Sequence, residues 1–288
     1  MSGREENMPA AKSFFYARNL AEIFQQINSV AGLSILGGCT TFTLQNKPFP
    51  EKNLSIRNVK ELKILEKKER YFELGSEVTL SEIESLGKNN LPATVFEAVK
   101  SISNPFVKNL ATIGGNICAD DFYYTLYAPL LALDARLEFT SESETPAISM
   151  RKQEISAISM YKFDKVPENS ILTKIRIPFY DWNVAIFKRV GPENTIDENS
   201  ASFVFLADSN KNQISALRIA FAGKFKFRDA ELENRLIGAH LPLSANTISE
   251  FMLEAEESFN KISRESKANP ILEKQFWNLL KYSLEQLT

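Results

Sequence analysis

Cysteine and histidine are nearly missing from this 288-residue chain: it has Cys39, Cys118 and His240. Two thiols cannot by themselves hold an iron–sulfur cluster, which takes about four. Their scarcity suits a reducing compartment. One histidine leaves no His-based zinc site, and no Ser–His or Cys–His catalytic pair in either of the glycine loops described below. An excess of charge is also missing. The chain carries 34 Lys and Arg against 36 Asp and Glu, a net charge of −2, so nothing draws it generally to nucleic acid or an anionic membrane. The longest apolar runs, 130–133 and 203–207, fall far short of the roughly 20 residues that cross a bilayer. The opening Met1-Ser2-Gly3-Arg4-Glu5-Glu6 has no apolar signal segment, so a cytoplasmic address is the expectation. Neither G-x-G-x-x-G nor Gly-Lys-Ser/Thr occurs, which disfavours the usual dinucleotide and P-loop folds. Any redox chemistry must therefore come from a bound organic cofactor.

Hydrophobic patterning predicts a mixed chain. Phe14-Phe15-Tyr16 reads as a strand, and Asn19 as the cap of a helix with Leu20, Ile23, Phe24 and Ile27 on one face. Short strands are expected at 33–36, 54–56, 62–65 and 71–74, with 66–70 as a charged turn. Thr79-Leu80-Ser81-Glu82 is a capping box, so a helix should start there. Another helix is expected over 93–102, ended by Asn104-Pro105. The segments 110–117 and 127–133 are compact and apolar. A strand follows at 136–139, then a polar hairpin turn at 141–146 and a strand at 172–177 ended by Pro178. Beyond it, 185–190, 201–207 and 214–222 read as three strands, and two amphipathic helices close the chain. The expected class is α+β, with a boundary near Pro178.

Two loops carry the candidate chemistry. One is Gly37-Gly38-Cys39-Thr40-Thr41, directly after a strand. The other is Thr112-Ile113-Gly114-Gly115-Asn116. Both pair glycines with small hydroxyl or amide residues, and neither has Lys or Arg. A glycine-rich turn can hold a diphosphate through backbone N–H groups, because the missing Cβ lets oxygen atoms come close. Gly-Gly pairs also serve ordinary tight turns, and that alternative stands beside the first.

The stretch Ser103-Asn104-Pro105-Phe106-Val107-Lys108-Asn109-Leu110-Ala111-Thr112-Ile113-Gly114-Gly115-Asn116-Ile117 resembles the signature of the FAD-binding subunits of molybdopterin dehydrogenases, the family of xanthine dehydrogenase and carbon monoxide dehydrogenase. The likeness continues through Ala128-Pro129-Leu130-Leu131-Ala132-Leu133-Asp134-Ala135. It includes Leu36-Gly37-Gly38 and Phe72-Glu73-Leu74-Gly75-Ser76-Glu77-Val78-Thr79-Leu80. It reaches Leu172-Thr173-Lys174-Ile175-Arg176-Ile177-Pro178 and Phe187-Lys188-Arg189. The resemblance implies a two-part FAD-binding domain of the PCMH type over 8–178, with a break near 58–60. A small C-terminal domain of three antiparallel strands and helices would cover 179–288. It implies FAD as cofactor, with a molybdopterin-binding large subunit and a [2Fe–2S] small subunit as partners. Electrons would pass through FAD to NAD or another acceptor. By position, Leu36, Gly37, Gly38, Cys39, Thr40 and Thr41 would bind the diphosphate. Thr112, Ile113, Gly114, Gly115 and Asn116 would complete that site. Asp121 and Thr125 would lie toward the ribose or adenylate, Leu172 would pack on the flavin system, and Lys188 would lie near the flavin ring.

The sequence departs from the family in two places. Cys39 and Thr40 stand where a Thr-Asp pair is usual. In Asp121-Phe122-Tyr123-Tyr124-Thr125, Thr125 replaces the aspartate that ends the family's Ser-Pro-x-x-Asp, and Asp121 replaces its serine. Each lost hydrogen bond costs about 0.5–1.5 kcal/mol, so the two losses imply FAD binding weaker by about tenfold to hundredfold. The alternatives are therefore a working electron-transfer subunit and an assembly scaffold with weakened FAD binding. A stand-alone flavin enzyme such as an enolpyruvyl reductase is disfavoured, since no acid–base constellation or phosphate-binding Arg cluster is visible. Tyr123 and Tyr124 read as packing residues, with stacking on adenine as the alternative.

Overall fold

The computed structural model describes residues 12–102, 104–145, 150–193, 195–266 and 269–287. Residues 1–11, Ser103 of the motif and 146–149, which include the end of the expected polar turn, lie outside the described residues. Among the described residues no helix is long and apolar enough to cross a membrane.

The first unit is a small parallel sheet. It runs β1 (Ser13–Tyr16), α1 (Leu20–Ser29), β2 (Ser34–Leu36), α2 (Thr40–Leu44) and β3 (Lys52–Ser55), with strand order β1-β3-β2. Parallel neighbours need crossovers, and α1 and α2 supply them. Asn19 caps α1 as expected, its side chain accepting from the Glu22 N–H at 2.9 Å. Ile23 and Phe24 turn inward onto Leu54, Ile56, Val59 and Leu62. The inward i, i+3 pair Val59 and Leu62 explains why the expected strand at 62–65 begins instead as a 3₁₀ turn over Lys60–Leu62.

The second unit is antiparallel and five-stranded. Its elements are β4 (Leu65–Lys67), β5 (Tyr71–Gly75), α3 (Leu80–Ser85), α4 (Ala93–Lys100), α5 (Pro105–Leu110), α6 (Ile113–Ile117), α7 (Tyr127–Ala132), β6 (Arg136–Thr145), β7 (Met150–Ser159) and β8 (Ser170–Pro178). The strand order is β4-β5-β8-β6-β7. The capping box forms as expected: Thr79 accepts from the Glu82 N–H while Glu82 reaches back to the Thr79 N–H at 2.8 Å. Asn104-Pro105 does not merely follow a helix. It opens α5, with Asn104 as cap and Pro105 at the first helical position, where its missing N–H costs nothing. The polar stretch expected as a turn is strand: Ser141 to Thr145 pair in register with Glu154 to Met150. The arm can carry polar residues because part of it stands in solvent, where Ser143 and Ile155 are exposed. On one face of the sheet Arg176 bridges Glu73 at 2.8 Å and Glu138 at 3.0 Å. The neighbouring Ile175 and Ile177 point the other way, into the core.

The third unit has β9 (Val184–Val190), β10 (Ala201–Asn210), β11 (Gln213–Ala222), β12 (Lys226–Phe227), α8 (Ala230–Arg235), α9 (Ala245–Glu265) and α10 (Pro270–Glu285). The sheet has four strands in the order β12-β11-β10-β9, one more than expected. The two-residue β12 is too short to leave a periodic signal. The unbroken apolar run of β10 has a clear cause, because the strand is buried on both faces. Phe203, Phe205 and Ala207 face α9 and α10. Val204 and Leu206 face the five-stranded unit and join its core, as do Ala220 and Ala222 of β11. Between the two sheets lies α7, whose residues Tyr127 to Ala132 are all buried. A helix apolar on every side must be enclosed, and this one is.

Candidate cofactor site

The two glycine loops meet. The first sits where β2 ends and α2 begins, at the carboxyl edge of a parallel sheet, a common place for ligands in such sheets. A Cβ on Gly38 would lie 1.8 Å from the Leu110 carbonyl oxygen. A Cβ on Gly37 would lie 2.5 Å from Glu77 Oε1 and 3.0 Å from Thr112 Oγ1. Gly38 is thus required by close approach to the backbone at the end of α5, whereas the atoms that crowd Gly37 are the ends of the Glu77 and Thr112 side chains. Cys39 adopts the left-handed conformation, φ 58°, as the cap of α2. That conformation is uncommon for a residue with a side chain, and it curls successive N–H groups into a concavity. Among the described residues, the backbone N–H groups of Gly37, Gly38, Cys39, Thr40 and Thr41 have no protein acceptor. They are free for an anion.

The second loop behaves differently. The Ile113 N–H donates to Val78 O, the Gly114 N–H to Ser76 O, and the Gly115 N–H to Thr112 Oγ1 at 3.1 Å. The backbone donors of Ile113, Gly114 and Gly115 are therefore spent on the fold, and what these residues offer a ligand is shape. Ile113 and Gly114 are buried, whereas Gly115 is exposed. A Cβ there would touch nothing but Thr112 Oγ1, at 3.2 Å. The Asn116 amide oxygen accepts from the Leu126 N–H at 3.0 Å, which fixes the approach to α7.

A polar cluster ties α2 to the segment after α6. Lys47 Nζ lies 2.7 Å from Asp121 Oδ2. The Tyr124 hydroxyl accepts from Gln45 at 3.0 Å and lies 3.2 Å from Thr41 Oγ1 and 3.4 Å from Asp121 Oδ1. Burial opposes ionisation of Asp121, but the hydrogen bond and charge of Lys47 hold its carboxyl below the usual range. Tyr123 packs edge-on against Tyr127, with ring centroids 4.5 Å apart. Thr125 is buried between this cluster and α7.

The remaining expected residues lie elsewhere. Leu172 is a core residue of β8, paired in register with Phe139. Lys188 is exposed on β9 opposite Phe203, so it shares the face backed by α9 and α10, while its neighbour Phe187 packs on the large core. Leu172 adjoins Thr173, whose carbonyl accepts from the Ser76 N–H, and Ser76 in turn accepts from the Gly114 N–H of the second loop. A cavity of about 290 Å³ opens at the end of α6, lined by Ile117, Cys118, Tyr123, Phe163, Lys165 and Lys224 among others. Burial, with Asp120 nearby, pushes the Cys118 thiol up to about 12, so it is not a thiolate.

One residue in the wall of the site gave no signal in the sequence. Glu77 is 3% exposed, between the two loops. Its Oε2 has no hydrogen-bond partner. Burial pushes its carboxyl up to about 7, against the pull of Lys63 and Arg57. Its neighbours in sequence could have drawn attention to it, since Ser76 and Val78 hold the second loop through their carbonyls and alternation turns residue 77 the other way.

Comparison with known proteins follows the same lines. Residues 9–180 match the family described as the FAD binding domain in molybdopterin dehydrogenase. An abscisic-aldehyde oxidase of Arabidopsis thaliana is 23% identical over 258 residues, which is 80% of this chain and 19% of that protein. A xanthine dehydrogenase FAD-binding subunit of Escherichia coli O157:H7 is 29% identical over 135 residues, 45% of this chain and 46% of that one. The match thus spans less than half the length of either relative. Among solved structures, a chain of carbon monoxide dehydrogenase from Hydrogenophaga pseudoflava superposes with a TM-score of 0.76 at 16% identity, covering 97% of this chain and 96% of the other. That likeness is one of fold.

Proposed function

Because this chain belongs to the family of FAD-binding domains of molybdopterin dehydrogenases, an oxidoreductase family, we propose that it is the FAD-binding electron-transfer subunit of a molybdenum hydroxylase. Its partners are a molybdopterin-binding large subunit and a small subunit with [2Fe–2S] clusters. Bound FAD supplies the redox chemistry, taking electrons from those clusters and passing them to NAD or another acceptor. The organic substrate is not handled by this chain. Residues 8–178 form the two-part FAD-binding domain, with its break near 58–60, and 179–288 the C-terminal flavoprotein domain.

The observation that carries this reading is the meeting of a donor-rich loop with a second glycine loop that leaves room above it. The free N–H groups of Gly37 to Thr41 hold the diphosphate. Gly115 supplies the open wall on the other side. The Lys47–Asp121–Tyr124–Thr41 cluster keeps α2 in place, so the donors are set before the cofactor arrives. The cavity at the end of α6, lined in part by Asp121 of that cluster, receives a further part of the cofactor. Leu172 and Lys188 remain proposed contacts of the family type.

A second reading has an observation of its own. The backbone donors of Ile113, Gly114 and Gly115 are already used, and the family's two aspartates are missing. An assembly subunit with weakened FAD binding fits both facts.

Gly115→Val separates the site from the fold. The new side chain meets only Thr112 Oγ1, at 3.2 Å, so the melting temperature should stay within about 4 °C of wild type, the shift for roughly 1 kcal/mol. FAD affinity should fall at least about tenfold. A fluorescence titration showing wild-type affinity removes the second loop from the site.

A further inference from the structure

We propose that Glu77 is a proton-dependent gate on the diphosphate loop: FAD binds when its carboxyl group is neutral and is repelled when that group is ionised. The inference rests on the FAD reading above. It stands on position. Glu77 Oε1 occupies the space over Gly37 that a Cβ would fill, 2.5 Å from that point, and Thr112 Oγ1 from the second loop is 3.0 Å from it. The carboxyl is thus wedged where the two loops meet, 3% exposed, with Oε2 unpartnered. An unpaired polar group in such a place costs stability, and an apolar side chain would serve the fold better.

The chemistry follows from charge. A diphosphate held by the N–H groups of residues 37–41 would sit against Glu77 with little water between, where like charges repel strongly. A neutral carboxyl removes that repulsion. The charged and titratable groups around it are few. Arg57 and Lys63, both exposed on the segment between β3 and β4, favour the ionised form. Cys39 on α2 is itself pushed up, by burial first and then by Glu77. From the second loop the uncharged Thr112 lies beside the same point over Gly37. Burial outweighs the two cations, so the group titrates near neutral pH. A bound diphosphate raises the pKa further, which couples FAD uptake to proton uptake.

The test is FAD affinity by flavin fluorescence from pH 6 to pH 9, for wild type, Glu77→Gln and Arg57→Gln/Lys63→Gln. Wild-type affinity should fall at least about tenfold over this range, and that of Glu77→Gln by less than about threefold. Removing the two cations should move the wild-type decline to higher pH, whatever it does to affinity overall. Thermal melts should show Glu77→Gln folded and losing less stability than wild type between pH 5 and pH 8. That sign holds because a carboxyl with a raised folded pKa stabilises below its unfolded value, and loses that contribution as pH rises through about 7. Equal pH dependence in wild type and Glu77→Gln overturns the gate and leaves the FAD reading intact, as does a decline moved to lower pH by the double substitution. No FAD binding by any of the three at any pH overturns both.

Discussion

Gly38→Ala should abolish tight FAD binding with a single added methyl group. The Cβ would sit 1.8 Å from the Leu110 carbonyl oxygen and 2.6 Å from its carbon. Both are backbone atoms at the end of α5, and that helix is held to α3 by Lys108 and Glu84 at 2.6 Å. No side chain can swing away to make room. The loop must instead lift off its partner, carrying the free N–H groups of residues 37–41 with it. Overpacking of this kind costs about 1–3 kcal/mol, which lowers the melting temperature by roughly 2–12 °C. The effect on binding should be larger, at least about a hundredfold in the dissociation constant, because misplacing several donors at once loses several charge-assisted hydrogen bonds. Calorimetric titration with FAD and a thermal melt measure the two effects separately. A Gly38→Ala protein that binds FAD as wild type does would mean the loop holds no diphosphate. The contrast with Gly115 sharpens the test: one glycine is required by the fold and the site together, the other by the site alone.

The second large effect lies away from the cofactor. Glu233 is 1% exposed on α8 and accepts from the Ile219 N–H at 2.9 Å and from Arg228 Nε at 3.0 Å. Arg228 is nearly as buried, at 6% for its side chain. It also donates to the Leu131 carbonyl at 2.9 Å and lies over the Tyr161 ring at 4.9 Å. This pair therefore fastens the C-terminal sheet to α7. Removing one partner leaves a buried charge without compensation, so Glu233→Ala should destabilise the protein by about 3–5 kcal/mol. Replacing both groups tests the cause. Arg228→Met/Glu233→Leu should recover part of the loss, since a packed apolar pair is often as stable as a buried ion pair, and the remainder reflects the Ile219 N–H left without its acceptor. Urea unfolding curves give the numbers. A Glu233→Ala cost below about 1 kcal/mol would show that water reaches the pair and screens it.

Much of this could be read from the residues. The capping box at Thr79, the Asn19 cap and the paired strands beyond residue 183 carry local signals that tertiary contacts only reinforce. Asn104-Pro105, expected only to end a helix, also starts the next, and the cap hydrogen bonds of Asn104 show why. The 141–146 stretch misleads for another reason. Polar residues suggest a turn, yet a solvated hairpin arm tolerates them. At the site, the glycine pairs named the loops, but glycine alone does not say which N–H groups are free. That depends on Ser76 and Val78, far from the second loop in sequence, whose carbonyls take its donors. Glu77 was invisible for the same reason: a glutamate beside a strand end usually faces water, and only the meeting of two distant loops buries it. The face of Lys188 follows from register with Phe203, which periodicity within one strand does not supply.

If the paired glycine loops form an FAD site, the visible absorption spectrum of the freshly purified protein, repeated after adding FAD and removing the excess, should show it. A retained flavin band with near-stoichiometric FAD is the expected result. A colourless protein that takes up no FAD, alone or co-expressed with molybdopterin-binding and [2Fe–2S] subunits, would contradict it.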